Sequence, residues 1–347
     1  QFGRPLKNKG AGGLMRYGIF DHVDRGAGSL SEFYEDRLKL VEKYDQAGFY
    51  AYHTAEHHAT TLGMASSPSV FMSAVAQRTK NLKFGPLVYC LPQYHPVRLY
   101  EEICMLDQMS NGRFQLGVGK GISSIESGYY GLDGDDVTEI YQEYYQVLIE
   151  AMTSDELTFE GKHFSVKNMP LEMTPMQKPH PPIWHGLGNP QATAWPAEHG
   201  VNIISNHNAS LMRQITDAYR AEWDKLGRDQ ADIPLMGMTR FMVIAETDDK
   251  AMAIGRRIYD VWYKSFMKLW WRHEQTPPLV VYTETFDEIV ELGLAVAGSP
   301  ETVKAVIDDH IAESGINYFL CRFAFGDITF EEAAYGVDAF TEMYLSN

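Results

Sequence analysis

Cysteine is scarce, basic residues are outnumbered and no long apolar run occurs, and each shortage removes a class of function. The three cysteines, Cys90, Cys104 and Cys321, lie far apart and form no CxxC pair. This excludes a disulfide framework and a thiolate zinc cluster, and it reads as reduced thiols in the cytoplasm. Lys and Arg total 30 against 46 Asp and Glu, a formal net charge of −16. Nucleic acids and anionic membranes are polyanions, so neither is expected as a partner. No apolar stretch approaches the roughly 20 residues of a membrane span. The opening "QFGRPLKNKGAGGLMRYGIF" lacks the apolar centre of a secretory signal. Residues 1–14 are rich in Gly and Lys and are expected to form an N-terminal extension, with the ordered fold starting near Met15. Without linkers, repeats or low-complexity tracts, residues 15–347 read as one large domain.

What is present is alternation. Short β-like runs fall at 16–20, 50–55, 82–91, 113–119, 182–188, 201–205, 239–246 and 317–323. Helical stretches separate them. "SLSEFYEDRLKLVEKYDQAG" opens on a Ser cap and stops at Gly48, and "HPVRLYEEICMLDQMSNG" has Pro96 in its first turn. "SPETVKAVIDDHIAESG" has Ser299 as cap, Pro300 next and Gly315 as its stop. Strand then helix, about eight times over, predicts a (β/α)8 TIM barrel. An open doubly wound sheet is the alternative, and the length favours the barrel. Two segments break the repeat. "LTFEGKHFSV" (157–166) alternates around "EGK" and predicts an inserted hairpin. "KLWWRHEQTPPLVVYTETF" (268–286) has two Trp, two Pro and no helical period, and it predicts a lid loop.

Barrel active sites sit at the C-terminal ends of the strands. "AEHHAT" (55–60) directly follows the second predicted strand, so Glu56, His57 and His58 fall at that rim. An adjacent His pair beside a carboxylate suits proton transfer. A metal site using His53 is the competing reading, but His53 and His57 have ligand spacing only on a helix, and 50–55 reads as strand. "GVGKG" (117–121) ends the fourth strand. It is neither GxGxxG nor a phosphate-binding P-loop, yet its glycines let a flat ligand approach the backbone, and Lys120 adds positive charge. "GLGNPQATAWPAEHG" (186–200) places Gly188 and Asn189 at the cap of the next helix, where free N–H groups favour an anion. A plain tight turn and a plain capped helix explain these two segments singly. Together they describe a phosphate held between neighbouring strand ends.

These pieces resemble one family. "LPQYHPVRLYEEICMLDQMSNGRFQLGVGKG" (91–121), preceded by "AEHHAT" and followed by "PIWHGLGNPQATAWPAEHG", is similar to the bacterial luciferase-like flavin monooxygenases. The resemblance runs from about Met15 to Thr247 and returns at the last strand and helix. It implies a barrel that binds FMN, as FMNH2 delivered by a separate NAD(P)H-dependent reductase. It further implies that dioxygen forms a flavin hydroperoxide that oxidises a small organic substrate. His57 falls on the family's catalytic His, with His58 beside it, and Glu56 or a backbone carbonyl is expected to hold the His57 tautomer. Leu87 and Val88, followed by Tyr89, fall where the family has a cis peptide against the flavin ring. Lys120 replaces an arginine that contacts the phosphate, next to Gly121. Gly188, Asn189 and Ala192 fall on phosphate-contacting positions. No metal is implied.

The sequence also departs from that pattern. Gly119 stands where luciferase has a reactive Cys, Ser123 where it has a Tyr, and Ala192 where it has a hydroxyl side chain. The first two argue against light emission. The third leaves the phosphate to backbone N–H groups and Lys120. Two alternatives on the same fold stay open: hydride transfer with a deazaflavin, and a non-catalytic flavin-binding protein. Trp270, Trp271, Tyr282 and Phe286 suggest an apolar substrate, although core packing explains them as well. In the family the helices after the second and third strands form a homodimer. Here Phe71, Met72, Val75, Met105 and Met109 are the apolar residues available for one.

Overall fold

The eight apolar runs become eight parallel staves. The computed structural model describes residues 15–346 except 27, 133, 135 and 279–281, so the expected N-terminal extension lies outside the described residues. The first half contains β1 (Arg16–Asp21), α1 (Leu30–Ala47), β2 (Ala51–Thr54), α2 (Pro68–Arg78), β3 (Lys83–Pro86), β4 (Tyr89–Cys90), α3 (Pro96–Met109), β5 (Leu116–Gly119), α4 (Ser124–Tyr129) and α5 (Val137–Thr153). An antiparallel hairpin follows, β6 (Glu156–Glu160) with β7 (Ser165–Pro170). The second half contains β8 (Ile183–Gly186), α6 (Ala194–Glu198), β9 (Asn202–Ser205), α7 (Ala209–Lys225), β10 (Met236–Ile244), α8 (Asp248–Arg272), α9 (Phe286–Glu291), β11 (Ala295–Gly298), α10 (Pro300–Ser314), β12 (Tyr318–Arg322) and α11 (Phe330–Tyr344).

Pairing runs β3-β2-β1-β12-β10-β9-β8-β5-β4, and the Phe84–Phe114 bridge ties β3 to the segment entering β5. β3 and β4 are two parts of one stave interrupted at Leu87 and Val88. The ring therefore closes with eight staves, as a (β/α)8 barrel. Among the described residues β11 pairs only with the C-terminal half of β10; its short run "AVAG" carries too little pattern to be read as a strand.

The helix ends follow their local chemistry. Ser29 and Glu32 form a reciprocal capping box for α1, and Gly48 ends it at φ 86°, a left-handed conformation in which a side chain is strained. All nine residues of β10 are buried, as expected of a stave covered on both faces. Inside the ring, Trp184, Tyr318 and Leu320 fill the lower barrel. A Cβ on Gly18 would lie 1.9 Å from Tyr318 Oη, so glycine there admits the tyrosine. Outside the ring, Phe84 and Phe114 are fully buried. Burial of such a side chain stabilises the fold by about 1.5–3 kcal/mol.

Two expectations change. The segment 268–286 is not one loop. α8 continues through Arg272, because its buried face repeats at Ile258, Trp262, Ser265 and Leu269, a period invisible to a reading that begins at residue 268. Leu269 and Trp270 pack on Ile125 of α4, and the irregular part begins at His273. On α2, Phe71, Met72 and Val75 face the core and are buried, so they are not available to a partner. Among the described residues no helix is long and apolar enough to cross a membrane.

Candidate active site

A cavity of about 610 Å³ opens at the C-terminal ends of the staves. Its walls come from β1 (Phe20), the segments after β2 and β5, the β3–β4 break, the ends of β8 and β9, and Thr239 in the middle of β10. Helix α8 closes one side with Phe266, Leu269 and Trp270. This size and mostly apolar lining suit a cofactor or drug-sized ligand.

Glu56, His57 and His58 are brought together here, but the two rings do different work. His58 is fully engaged. Its Nε2 lies 2.9 Å from Glu56 Oε1, and Tyr130 Oη lies 2.7 Å from its Nδ1. A carboxylate accepts and a tyrosine hydroxyl donates, so His58 carries its proton on Nε2 and is locked. The other oxygen of Glu56 accepts the Cys90 amide at 3.0 Å, tying the loop to β4. His57 is engaged on one side only. Its Nδ1 lies 3.1 Å from Glu126 Oε1, which places the proton of the neutral ring on Nδ1 and leaves Nε2 as an acceptor. His57 also lines the cavity, whereas His58 does not.

The sequence leads one to expect Glu56 or a backbone carbonyl as the partner of His57. The structure gives Glu56 to His58 and assigns Glu126 to His57. Glu126 sits in α4, and its second oxygen accepts the His58 amide at 2.7 Å. The sequence signal for it is misleading. "SSIE" (123–126) spells a capping box, and Ser123 does cap Glu126 N. The Glu126 side chain, however, leaves the cap and grips the histidine loop instead of the Ser123 amide. Burial opposes its ionisation, but the hydrogen bonds from His57 and the His58 amide hold its carboxyl below the ordinary range. His22 completes the cluster. Its ring stacks on His57 at 5.9 Å, and burial, with the nearby Arg322 charge, keeps it well below the usual imidazole value, hence neutral.

The cofactor-binding candidates divide. Leu87, Val88, Lys120, Gly121 and Gly188 line the cavity. The Leu87–Val88 peptide is cis, and Gly119 makes room for it, since a Cβ there would lie 2.5 Å from Val88 Cγ2. Gly121 has φ 82°. Lys120 is exposed at the rim, with its Nζ 3.3 Å from Thr138 Oγ1. Tyr89 turns away from the cavity. It is fully buried behind the stave, with its Oη 2.8 Å from Ser69 Oγ. Alternation along a strand explains this, because successive side chains point to opposite faces. Asn189 and Ala192 are exposed and do not line the cavity. The expected helix start is instead a 3-10 turn, Pro190–Ala192, followed by the five-residue α6. A helix this short offers little dipole to a phosphate.

The alternative metal reading is not supported by position. His53 is buried against Trp184, at 5.1 Å between ring centroids, inside the lower barrel and apart from His57. Asp136, Glu139 and His163 lie close enough to share an ion, but Lys162 already places its ammonium 2.6 Å from Glu139.

The fold and this site define a class: a barrel with a paired-histidine rim and a glycine-flanked cis peptide in a deep cavity. Residues 15–318 match the luciferase-like monooxygenase family, and the chain belongs to it. It is 40% identical over 322 residues to an uncharacterized protein, y4wF, of Sinorhizobium fredii, covering 92% of this chain and 94% of that one. The crystal structure of the monooxygenase RslO1 from Streptomyces bottropensis superposes with a TM-score of 0.84 at 22% identity, over 95% of this chain and 98% of that one. The oxygenating constituent of 3,6-diketocamphane monooxygenase from Pseudomonas putida, a type II Baeyer-Villiger enzyme in complex with FMN, superposes with a TM-score of 0.79 at 19% identity, again over 95% and 98%.

Proposed function

We propose that this protein is an FMN-dependent monooxygenase that takes reduced flavin from a separate NAD(P)H-dependent reductase and uses dioxygen to oxidise a small, largely apolar organic molecule. The observation that carries this reading is His57. One ring nitrogen is fixed by a buried carboxylate, and the other is presented to a cavity large enough for a tricyclic ring and a small partner. The residues suit FMN. Leu87 and Val88 offer an apolar ledge for a flat ring, and Lys120 at the rim offers charge for a phosphate. The FMN-bound oxygenating constituent described above supports both the cofactor and the two-component arrangement by analogy of fold.

Bound reduced FMN supplies the electrons that activate dioxygen. This chain's residues do the rest. His57 Nε2 accepts and returns a proton at the cavity wall. Glu126 holds the tautomer that makes this possible, while Glu56 and Tyr130 hold His58 so that the loop does not move. Phe266, Leu269 and Trp270 exclude water from the reacting region. The same reading includes a homodimer through α2 and α3, where Val70, Met105 and Met109 stand 73%, 49% and 47% exposed.

The test is oxygen uptake with FMNH2 supplied by a flavin reductase, run against aldehydes, ketones, alkanes and aromatic compounds. The expected result is uptake coupled to product for at least one class. Turnover with a reduced deazaflavin and no oxygen uptake would overturn the reading in favour of hydride transfer. FMN binding with no substrate-dependent uptake would leave a flavin-binding protein.

A further inference from the structure

Arg322 ends β12, and its guanidinium is buried with no carboxylate partner among the described residues. It lies between the rings of Phe20 and Phe241, each 4.7 Å from its centre. One terminal nitrogen, with two hydrogens to share, lies within hydrogen-bond distance of three neutral oxygens: Asn206 Oδ1 at 2.9 Å, Thr239 Oγ1 at 2.7 Å and Tyr282 Oη at 3.0 Å. Thr239 in turn donates to Asn206 Oδ1 at 2.6 Å. Asn206, Thr239 and Tyr282 all line the cavity.

The direction of these bonds fixes what the cavity meets. A guanidinium only donates, so the Asn206 oxygen must face it, and the amide NH2 is left on the other side. Tyr282 accepts from Arg322, so its own proton points elsewhere. Among the described residues neither the Asn206 NH2 nor the Tyr282 hydroxyl proton has an acceptor. A cation without a carboxylate partner among the described residues thus polarises two donors at the cavity wall.

In the ring order β12 is four staves from β5, so Arg322 and Lys120 stand on opposite sides of the barrel mouth. Two separate positive positions imply two separate oxygen-bearing groups. We infer that Asn206 and Tyr282 form the recognition site for a carbonyl or carboxylate oxygen at one end of an apolar substrate, with Arg322 as the positioning residue behind them. This rests on the reading of the cavity as a substrate site, and it deepens that reading by naming the group the substrate carries.

The test is calorimetric titration of the full chain, with and without FMN, using acetophenone, phenylacetate and ethylbenzene as probes of similar size. Acetophenone or phenylacetate should bind about tenfold or more tightly than ethylbenzene, the worth of a hydrogen bond to a polarised donor. The tighter of the two tells whether the recognised oxygen is neutral or charged. Asn206→Ala and Tyr282→Phe should each remove most of that preference and leave ethylbenzene within about twofold. Arg322→Lys should keep the charge but lose the fork, so the preference falls although the fold persists. Equal binding of all three probes to the wild type overturns the inference, as do variants that weaken all three alike. The titration without FMN reads the substrate oxygen alone, so it can fail while FMN binding and oxygen uptake succeed, and the reverse.

Discussion

Glu126 presents one carboxylate oxygen to His57 Nδ1 at 3.1 Å and the other to the His58 amide at 2.7 Å. The carboxylate therefore sets both the ring orientation and the tautomer of His57. Glu126→Gln keeps the shape but can turn a donor toward Nδ1, which moves the ring proton to Nε2 and converts an acceptor at the cavity wall into a donor. Product per FMN oxidised should fall by about 10²-fold, the usual share of general acid–base help. FMN affinity should stay close to wild type, since no cofactor-facing group is removed. Unchanged product yield in this variant would show that the tautomer of His57 is irrelevant.

Lys120 is exposed at the rim, and the short turn beside Asn189 adds little dipole. Lys120 should therefore carry much of the phosphate recognition, although an exposed ion pair is worth little. Lys120→Ala should weaken FMN by about fivefold, near the upper end for exposed pairs. Riboflavin, which lacks the phosphate, should bind both proteins alike. Equal loss for the two flavins would place the phosphate elsewhere.

The barrel was legible because each stave is an apolar run bounded by a cap or a glycine. The histidine pair was legible because 55–60 follows one of those runs directly. Its wiring was not. Glu126 lies far along the chain inside a pattern that serves as a helix start, and local patterns do not say when a side chain abandons its cap for a distant partner. Tyr89 was misplaced because carrying over a three-residue run ignores the alternation of a strand. Asn189 and Ala192 stand on a 3-10 turn outside the cavity lining, because a cap signal predicts that a helix begins, not that it stops after a turn. Arg322 gave no signal at all, since a lone Arg in a strand acquires meaning only from the three staves that surround it.

Val70, Met105 and Met109 lie on neighbouring helices and are the apolar groups left for a partner once Phe71, Met72 and Val75 are buried in the core. Met105→Glu would place a charge at the centre of that face, where burial without a partner is costly. Sedimentation should show a dimer for the wild type at micromolar concentration and a monomer for the variant, with circular dichroism unchanged. A wild-type monomer would rule out this interface.

His53 makes acid stability measurable. Burial lowers its imidazole to about 3, whereas the unfolded chain has the ordinary value near 6.5. Between those values the unfolded state holds a proton that the folded state does not. Its neutral form is fully favoured above the unfolded value, and stability falls as the pH drops toward the folded one. The slope from this single group is about 1.4 kcal/mol per pH unit. Urea midpoints from about pH 6 to 4 should fall more steeply for the wild type than for His53→Phe, which cannot take the proton. Parallel slopes would mean that His53 is protonated in the fold.

His57 and His58 should separate cleanly when each is replaced. His57 has one ring nitrogen on Glu126 and the other toward the cavity, so His57→Ala removes the proton-handling group and leaves the ledge at Leu87 and Val88 intact. The variant should fold, bind FMN nearly as well, and still oxidise reduced flavin. Product should fall by about 10²-fold or more, with hydrogen peroxide released in its place. His58 has both nitrogens occupied by Glu56 and Tyr130, so it cannot exchange protons with the cavity without breaking that lock. His58→Ala leaves the buried Glu56 carboxylate without its ring partner and should act through the loop, lowering thermal stability more than coupling. His58→Gln, which can still donate to Glu56, should recover most of that stability. The measurements are product and peroxide per FMN oxidised from about pH 5.5 to 8, where imidazole titrates, together with the melting temperature of each variant. Full coupling in His57→Ala at every pH would make His57 structural. Loss of coupling in His58→Ala at unchanged stability would mean that the two rings had been assigned the wrong way round.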